Sequence, residues 1–317
     1  MRTGILSSIA GVLLVAACKP PEKVTPPPAH ASAAQVAISG AAILIGAGDI
    51  GVCGLQGDEE TAILVDSVLK ADSAAGVPVA VFTTGDNAYP AGLDRDFVRC
   101  FGSSWGDPKK RIMKFLRPAI GNHDYQSDYG AAYYRYFGKR AGPVFKGYYS
   151  YDLGDWHVIA LNSETAAQGG LSDRRAQEDW LKKDLQEHGK LCTVAYLHRP
   201  LYSSGAHGAS PVMTRIWNIL AEGGVDLVLA GHEHHYERFL PFNASGAVDS
   251  LNGMEQIIVG TGGGSLTGIR SRLAFGSIIQ IQGHWGVLIA TLGKDEYRTS
   301  FLDVNGQVWD PSGRKCH

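Results

Sequence analysis

The stretch Ala42-Ile43-Leu44-Ile45-Gly46-Ala47, followed at once by Gly48-Asp49-Ile50-Gly51, sets the pattern for the rest of the chain. A short apolar run of this length reads as a buried strand, and Gly48-Asp49 ends it with a residue that permits a sharp turn and one that carries charge. Over Asp58 to Ala75 the periodicity becomes helical: Ile63, Leu64, Ser67, Val68 and Ala71 recur near a 3.6-residue spacing. Glu59 and Glu60 sit in the first turn, where the helix dipole favours acids. Val77 to Thr83 repeats the strand and is closed by Gly85-Asp86. Further strands are predicted at 148–152, 156–161, 193–197 and 225–230, with helices at 172–187 and 211–221. Beyond Gln256 the pattern turns to β-rich runs at 257–259, 278–281 and 287–291. Strands alternating with helices predict an α/β sheet covered on both faces, with ligands beyond the carboxyl ends of the strands.

The N-terminus reads as an export signal over residues 1–18: Met1-Arg2, a mostly apolar Ile5 to Val15, then the small Ala16-Ala17. The apolar run is too short for an ordinary transmembrane helix. Leu14-Val15-Ala16-Ala17-Cys18 resembles the lipobox of bacterial lipoproteins, which implies a lipidated Cys18 as the mature N-terminus. The alternative is a plain cleaved signal with an incidental cysteine. Lys19 stands where an inner-membrane retention signal would have Asp, which favours the outer membrane or cell surface. Residues 19–40 carry Pro20, Pro21, Pro26, Pro27 and Pro28 among Ala and Ser and read as an extended tether, leaving 41–317 as the folded domain.

With 317 residues, 44% of them hydrophobic, the chain can bury a large core. Its net charge of −2 excludes nucleic-acid binding by bulk electrostatics. Export makes an even set of cysteines meaningful: Cys53, Cys100, Cys192 and Cys316 allow three pairings. Cys53–Cys100 is favoured because both lie near the first motif loops, and Cys192–Cys316 because it ties the C-terminus to a strand; four free thiols is the alternative. No CxxC spacing supports a zinc–thiolate site.

Five loops carry the chemistry: Gly48-Asp49-Ile50-Gly51, Gly85-Asp86-Asn87-Ala88-Tyr89, Gly121-Asn122-His123-Asp124, Leu197-His198-Arg199-Pro200 and Gly231-His232-Glu233-His234. Singly, each is weak, since an Asp after a strand is commonly a helix cap and a lone His a structural residue. Together they resemble the five-block signature of the purple acid phosphatases, within the wider dinuclear metallophosphoesterases, and Gly260–Gly264 resembles that family's Gly-rich turn. The resemblance implies a four-layer α/β/β/α sandwich. It also implies one metal bound by Asp49, Asp86, Tyr89 and His234, and a second bound by Asp86, Asn122, His198 and His232, with Asp86 bridging.

Donor chemistry agrees with that division. Two carboxylates, a phenolate and an imidazole suit a hard ion such as Fe(III), because a phenol of pKa about 10 needs a strong Lewis acid to ionise. Two imidazoles, an amide oxygen and the shared carboxylate suit Fe(II), Zn or Mn. Related phosphodiesterases and protein phosphatases have a His two residues after the first Asp; here Gly51 stands there and Tyr89 appears instead. The resemblance implies hydrolysis of small-molecule phosphate monoesters by a metal-activated hydroxide, with His123 as general acid beside Asn122, oriented by Asp124. His207 resembles a phosphate-contacting His of the family, so Asn122, His123 and His207 form the expected substrate contacts. The bland alternative for His123 is a hydrogen bond within its own loop.

Arg199 either contacts a substrate phosphate or points to solvent. His157, His188 and His284 read as structural or surface residues, and His235, which follows the last ligand, as structural. Tyr125, Tyr129, Tyr133, Tyr134 and Arg135 either line the pocket entrance or pack as an aromatic insertion. Competing functions on the same core are a phosphodiesterase or nucleotidase, and a binding lipoprotein without catalysis. The latter would be marked by lost ligands, and all seven are present.

Overall fold

The computed structural model describes residue 1 and residues 41–188 and 192–317. The export signal, Cys18 and the tether lie outside the described residues. The first strand begins where the apolar run does, at Ala42.

Thirteen strands form two sheets among the described residues. They are β1 (Ala42–Ala47), β2 (Val79–Thr83), β3 (Leu116–Pro118), β4 (Tyr149–Leu153), β5 (Trp156–Ala160), β6 (Cys192–Leu197) and β7 (Leu227–Ala230). They continue with β8 (Tyr236–Phe239), β9 (Glu255–Val259), β10 (Ser277–Ile281), β11 (Gly286–Leu292), β12 (Glu296–Asp303) and β13 (Val308–Lys315). The first sheet runs β13-β12-β11-β1-β2-β3, and the second runs β10-β8-β9-β7-β6-β5-β4. β1, β2 and β3 pair in parallel, as do β5, β6, β7 and β9; the remaining pairs are antiparallel.

Alternation within the second sheet explains the layering. Val158, Val194, Tyr196, Leu227, Leu229, Ile257 and Val259 enter the core that also holds Ile43, Leu44, Ile45 and the helix Gly57–Ala74. Their neighbours Ile159, Ala195, Leu197, Val228, Ala230 and Ile258 face the other way, into a cluster with Leu181, Ile216, Trp217 and Leu220 from the helices Leu171–Glu187 and Thr214–Glu222. A strand has side chains on opposite faces at period two, so continuous apolar runs are buried on both sides. The result is helix, sheet, sheet, helix: the four-layer arrangement, with two sheets where alternation alone predicts one. Both disulfides are the favoured ones, Cys53–Cys100 and Cys192–Cys316, with Cα–Cα distances of 4.7 and 5.4 Å.

The departures from expectation are physical. β2 starts at Val79 rather than Val77, and the predicted helix from Pro211 opens as a 3-10 turn, Pro211–Met213, before its α-helical part. β12 and β13 carry no strong apolar signal. β13 is an edge strand with mixed exposure, and it tolerates Pro311, which a central strand would not. Among the described residues no helix is long and apolar enough to cross a membrane.

His157 and His235 are structural rather than superficial, both buried. His157 lies between Asp184 (2.8 Å from Nε2) and Asp152 (3.2 Å from Nδ1), with the His188 ring stacked on it at 4.3 Å. Burial works against a charged ring, but the hydrogen bonds from Asp184 and Asp152 outweigh it and hold His157 above the ordinary histidine range. A folded-state pKa raised above the unfolded value of about 6.5 stabilises the fold fully below that pH, and the contribution is lost as pH rises through the folded value. His157→Gln is therefore expected to destabilise the domain most at pH 5–6 and progressively less at higher pH. Denaturant unfolding of both proteins across that range checks it; a pH-independent difference would contradict the ion-pair account.

Candidate metal centre

All five motif loops leave carboxyl ends of strands: Asp49 follows β1, Asp86 follows β2, Asn122 follows β3, His198 follows β6 and His232 follows β7. The first three belong to one sheet and the last two to the other, so the site lies at the seam between the sheets. Asp49, Asp86 and His232 adopt left-handed backbone conformations, with φ of 59°, 50° and 69°. Such conformations cost of order 1–3 kcal/mol each and cluster where side-chain direction matters more than comfort. Neighbouring glycines allow the close approach: a Cβ on Gly121 would collide with the Asp86 backbone and carboxylate, and one on Gly231 would lie 2.6 Å from Asp49 Oδ2.

The side chains converge in two groups that share one atom. The Tyr89 hydroxyl is 3.0 Å from Asp49 Oδ1, 3.1 Å from Asp86 Oδ2 and 3.1 Å from His234 Nε2. On the other side, His198 Nε2 is 3.0 Å from Asn122 Oδ1, 3.1 Å from His232 Nδ1 and 3.4 Å from the same Asp86 Oδ2. Asp49, Asp86 and His198 alone bring three buried ligand atoms within 4.8 Å of one another. The structure thus brings Asp49, Asp86, Tyr89, Asn122, His198, His232 and His234 together in one cluster, with Asp86 Oδ2 between its two halves.

The donors fit metal ions. One phenolic proton faces two carboxylates, an arrangement a cation would relieve. The outer nitrogens of two imidazoles are occupied by carbonyls, His198 Nδ1 by Thr84 (2.9 Å) and His234 Nδ1 by Ser265 (2.7 Å). Each ring can thus donate outward from Nδ1, which would leave Nε2 free to meet a cation at the centre, the way second-sphere bonds orient ligating histidines. His232 is turned the other way and presents Nδ1.

Electrostatics point the same way. Burial raises Asp86, but His198 and then His123 outweigh it and hold the carboxyl below its ordinary range. Burial opposes charge on His198, yet Asp86 pushes it up to about 10; Asp49 likewise lifts the buried His234 to about 9. His232 is driven down to about 2 by burial, His198 and Arg199. Burial, Asp49 and Asp86 raise Tyr89 well above the ordinary phenol. Without metal, protons on His198 and His234 supply positive charge that cations would replace, and Tyr89 ionises only against a strong Lewis acid.

His123 stands at the rim. Its Nδ1 is 2.5 Å from the Pro90 carbonyl, its Nε2 lies 3.8 Å from Asp86 Oδ2, and the ring is partly exposed. The Pro90 carbonyl, not Asp124, therefore sets the ring's orientation. Asp124 is fully buried and accepts from the backbone of Asn87 (2.9 Å), Ala88 (3.2 Å) and Gly121 (3.0 Å) and from the Asn87 amide (2.8 Å). It clamps the Asp86 loop to the Asn122 loop, so the expectation that it orients His123 gives way to a positioning role. The His207 ring sits 4.7 Å from that of His232, with Nδ1 3.3 Å from Glu233.

Two acids with no assigned role turn out to frame the site. Glu233, between the ligands His232 and His234, is fully buried and gathers Ser203 (3.1 Å) with the backbone N–H groups of His207 (3.2 Å) and Gly208 (2.5 Å). Its place inside the Gly-His-Glu-His motif was the available signal. Glu164 is fully buried and pairs with Arg199, Nε to Oε1 at 2.8 Å and Nη2 to Oε2 at 3.1 Å. Arg199 thus neither points to solvent nor stands unpaired. Tyr133 and Tyr134 are buried among their own aromatic neighbours, with the Tyr133 hydroxyl donating to Pro118, while Tyr129 is exposed and Arg135 pairs with Asp94. The segment is mainly a packed insertion.

The model of the calcineurin-like phosphoesterase family matches residues 45–236, which spans all five loops. The chain belongs to that family. Among curated relatives, the human acid phosphatase type 7 is 30% identical over 234 residues, 62% of this chain and 50% of that one. An uncharacterised Mycobacterium tuberculosis protein is 28% identical over 227 residues, 59% of this chain and 42% of its own length. This calcineurin-like phosphoesterase thus spans about half the length of the curated relatives it matches. In fold it is similar to a purple acid phosphatase from yellow lupin seeds, with a TM-score of 0.69 at 19% identity over 87% of this chain and 54% of that one. It is equally similar to GAP50, the anchor in the inner membrane complex of Plasmodium, with a TM-score of 0.71 at 16% identity over 87% and 89%. The resemblance to purple acid phosphatases read from the five motifs therefore stands.

Removing Asp124 leaves buried N–H groups of two ligand loops without an acceptor, at a cost of roughly 1–3 kcal/mol for each group so stranded. Asp124→Ala is expected to weaken metal binding by about 10- to 100-fold, the range seen when second-sphere supports are lost. Equilibrium dialysis against Zn or Mn measures it. Undiminished affinity in a folded variant would contradict the clamp.

Proposed function

We propose that the chain hydrolyses small-molecule phosphate monoesters in the manner of an acid phosphatase, at a dinuclear centre of Fe(III) with Fe(II), Zn or Mn. The observation that carries this reading is the sharing of Asp86 Oδ2 between two donor sets, one of which contains Tyr89. Two metal ions there would supply the Lewis acidity that ionises a water and withdraws charge from a phosphate. Asp49, Asp86, Tyr89 and His234 form the harder set, and Asp86, Asn122, His198 and His232 the softer one.

The remaining work falls to the chain's own side chains. His123, tied through Nδ1 to Pro90, holds its Nε2 towards the centre, where a proton can pass to a departing alkoxide. His207, steadied at Nδ1 by Glu233, has its ring beside that of His232 and would contact a phosphate oxygen there. We further propose that the mature protein is exported and held at an outer membrane or cell surface by lipid on Cys18, with residues 19–40 as the tether.

The purified domain, prepared without chelator, is expected to hold about two metals per chain including iron, and to show a visible charge-transfer band that Tyr89→Phe abolishes. A colourless protein with two zinc or manganese ions would overturn the ferric assignment and leave the hydrolase reading standing. His123→Gln is expected to slow alkyl phosphates by about 10²–10⁴-fold and aryl phosphates with stable leaving groups far less. Equal loss on both classes would show that His123 is not the proton donor.

A further inference from the structure

Arg199 is the residue that neither the ligand sets nor the proton donor explains. Its guanidinium offers five N–H donors in a fixed fork. Two of them, on Nε and Nη2, are held by the buried Glu164. Glu164 is itself fixed by Ser163 Oγ (3.1 Å) and Gln168 Nε2 (2.6 Å), and Ser163 Oγ also accepts from the Arg199 backbone N–H (3.2 Å). The fork is therefore preorganised, and it remains partly exposed at the edge of the site. Its Nη1 points at His232 Nε2, 3.3 Å away.

That contact has a consequence once His232 ligates a metal through Nδ1, the nitrogen it turns towards His198. The outer nitrogen Nε2 must then carry the proton. Two donors, His232 Nε2–H and Arg199 Nη1–H, face each other at the mouth of the centre with no acceptor between them. An anionic oxygen placed against both satisfies the pair, and a charge-assisted bond to a fixed guanidinium is among the stronger ones available. The His207 ring, 4.7 Å from that of His232, borders the same space.

We propose that Arg199 and the outer nitrogen of His232 form a second anion subsite, so that the preferred substrates are phosphate esters carrying a further carboxylate or phosphate group. Arg199 sets specificity here: the scissile phosphate meets the centre, and the second anionic group meets the fork. This inference rests on the dinuclear reading above, through the Nδ1 ligation of His232.

The test is calorimetric binding of two non-hydrolysable probes to the metal-loaded protein, 3-phosphonopropionate and propylphosphonate, which differ by one carboxylate. Wild type is expected to prefer 3-phosphonopropionate, and Arg199→Ala to reduce that preference by about 10- to 100-fold, the scale of a lost charge-assisted bond. Arg199→Lys, which keeps the charge opposite Glu164 but not the fork, is expected to fall between. Metal content is measured on each variant, so that a preparation without two metals per chain counts against the dinuclear reading and not against the subsite. With two metals bound, a preference that is absent in wild type, or unchanged in Arg199→Ala, would overturn the proposal and leave Arg199 as the counter-ion of Glu164.

Discussion

The Asp86 carboxylate is the constraint around which the rest of the site is arranged. One oxygen stands between the Tyr89 hydroxyl and His198 Nε2; the other accepts from the His123 backbone at 2.7 Å. To place it there the chain accepts a left-handed backbone at Asp86 itself, a glycine against it at 121, and a buried Asp124 that holds the two loops together. A buried carboxylate shared in this way needs positive charge on both sides, which the flanking histidines supply as protons or bound cations supply in their place.

The two-sheet architecture follows from the same need. A single parallel sheet presents ligands only along its own carboxyl edge. Here β1, β2 and β3 bring the acids, the phenol and the amide, while β6 and β7 bring the imidazoles from the facing sheet. The core between them, from Leu44 and Phe82 on one side to Val158, Tyr196 and Leu229 on the other, fixes the distance between the two halves of the centre. Close-packed interiors transmit such constraints because they do not yield by fractions of an ångström without cost.

Asp49, Asp86 and His232 were legible in the sequence because each follows an apolar strand and a Gly that announces a sharp turn, and the other candidate ligands through their places in the five motifs. The disulfide pairing was legible for a similar reason, with Cys53 and Cys100 both near motif loops. Glu164 and Glu233 were not, since what they do depends on partners 35 and 25–30 residues away that a one-dimensional pattern does not bring together. Asp124 misled for the opposite reason: its nearness to His123 in sequence suggested a contact that its burial under the Asn87 loop excludes. The split into two sheets came from the family resemblance and not from alternation, because runs such as Cys192–Leu197 are buried on both faces whether the second face meets helices or another sheet. β13 escaped because an exposed edge carries little apolar periodicity, and β12 because its buried Thr299, Ser300 and Asp303 interrupt the apolar pattern.

The central claim is that seven side chains form two metal sites joined through Asp86. Anomalous diffraction from crystals of the metal-loaded protein tests it most directly. The account predicts two peaks of metal density roughly 3.5–4 Å apart, one beside Tyr89 and His234, the other beside Asn122 and His232, with Asp86 reaching both. A single peak, or two peaks of which one lies outside reach of Asp86, would contradict it.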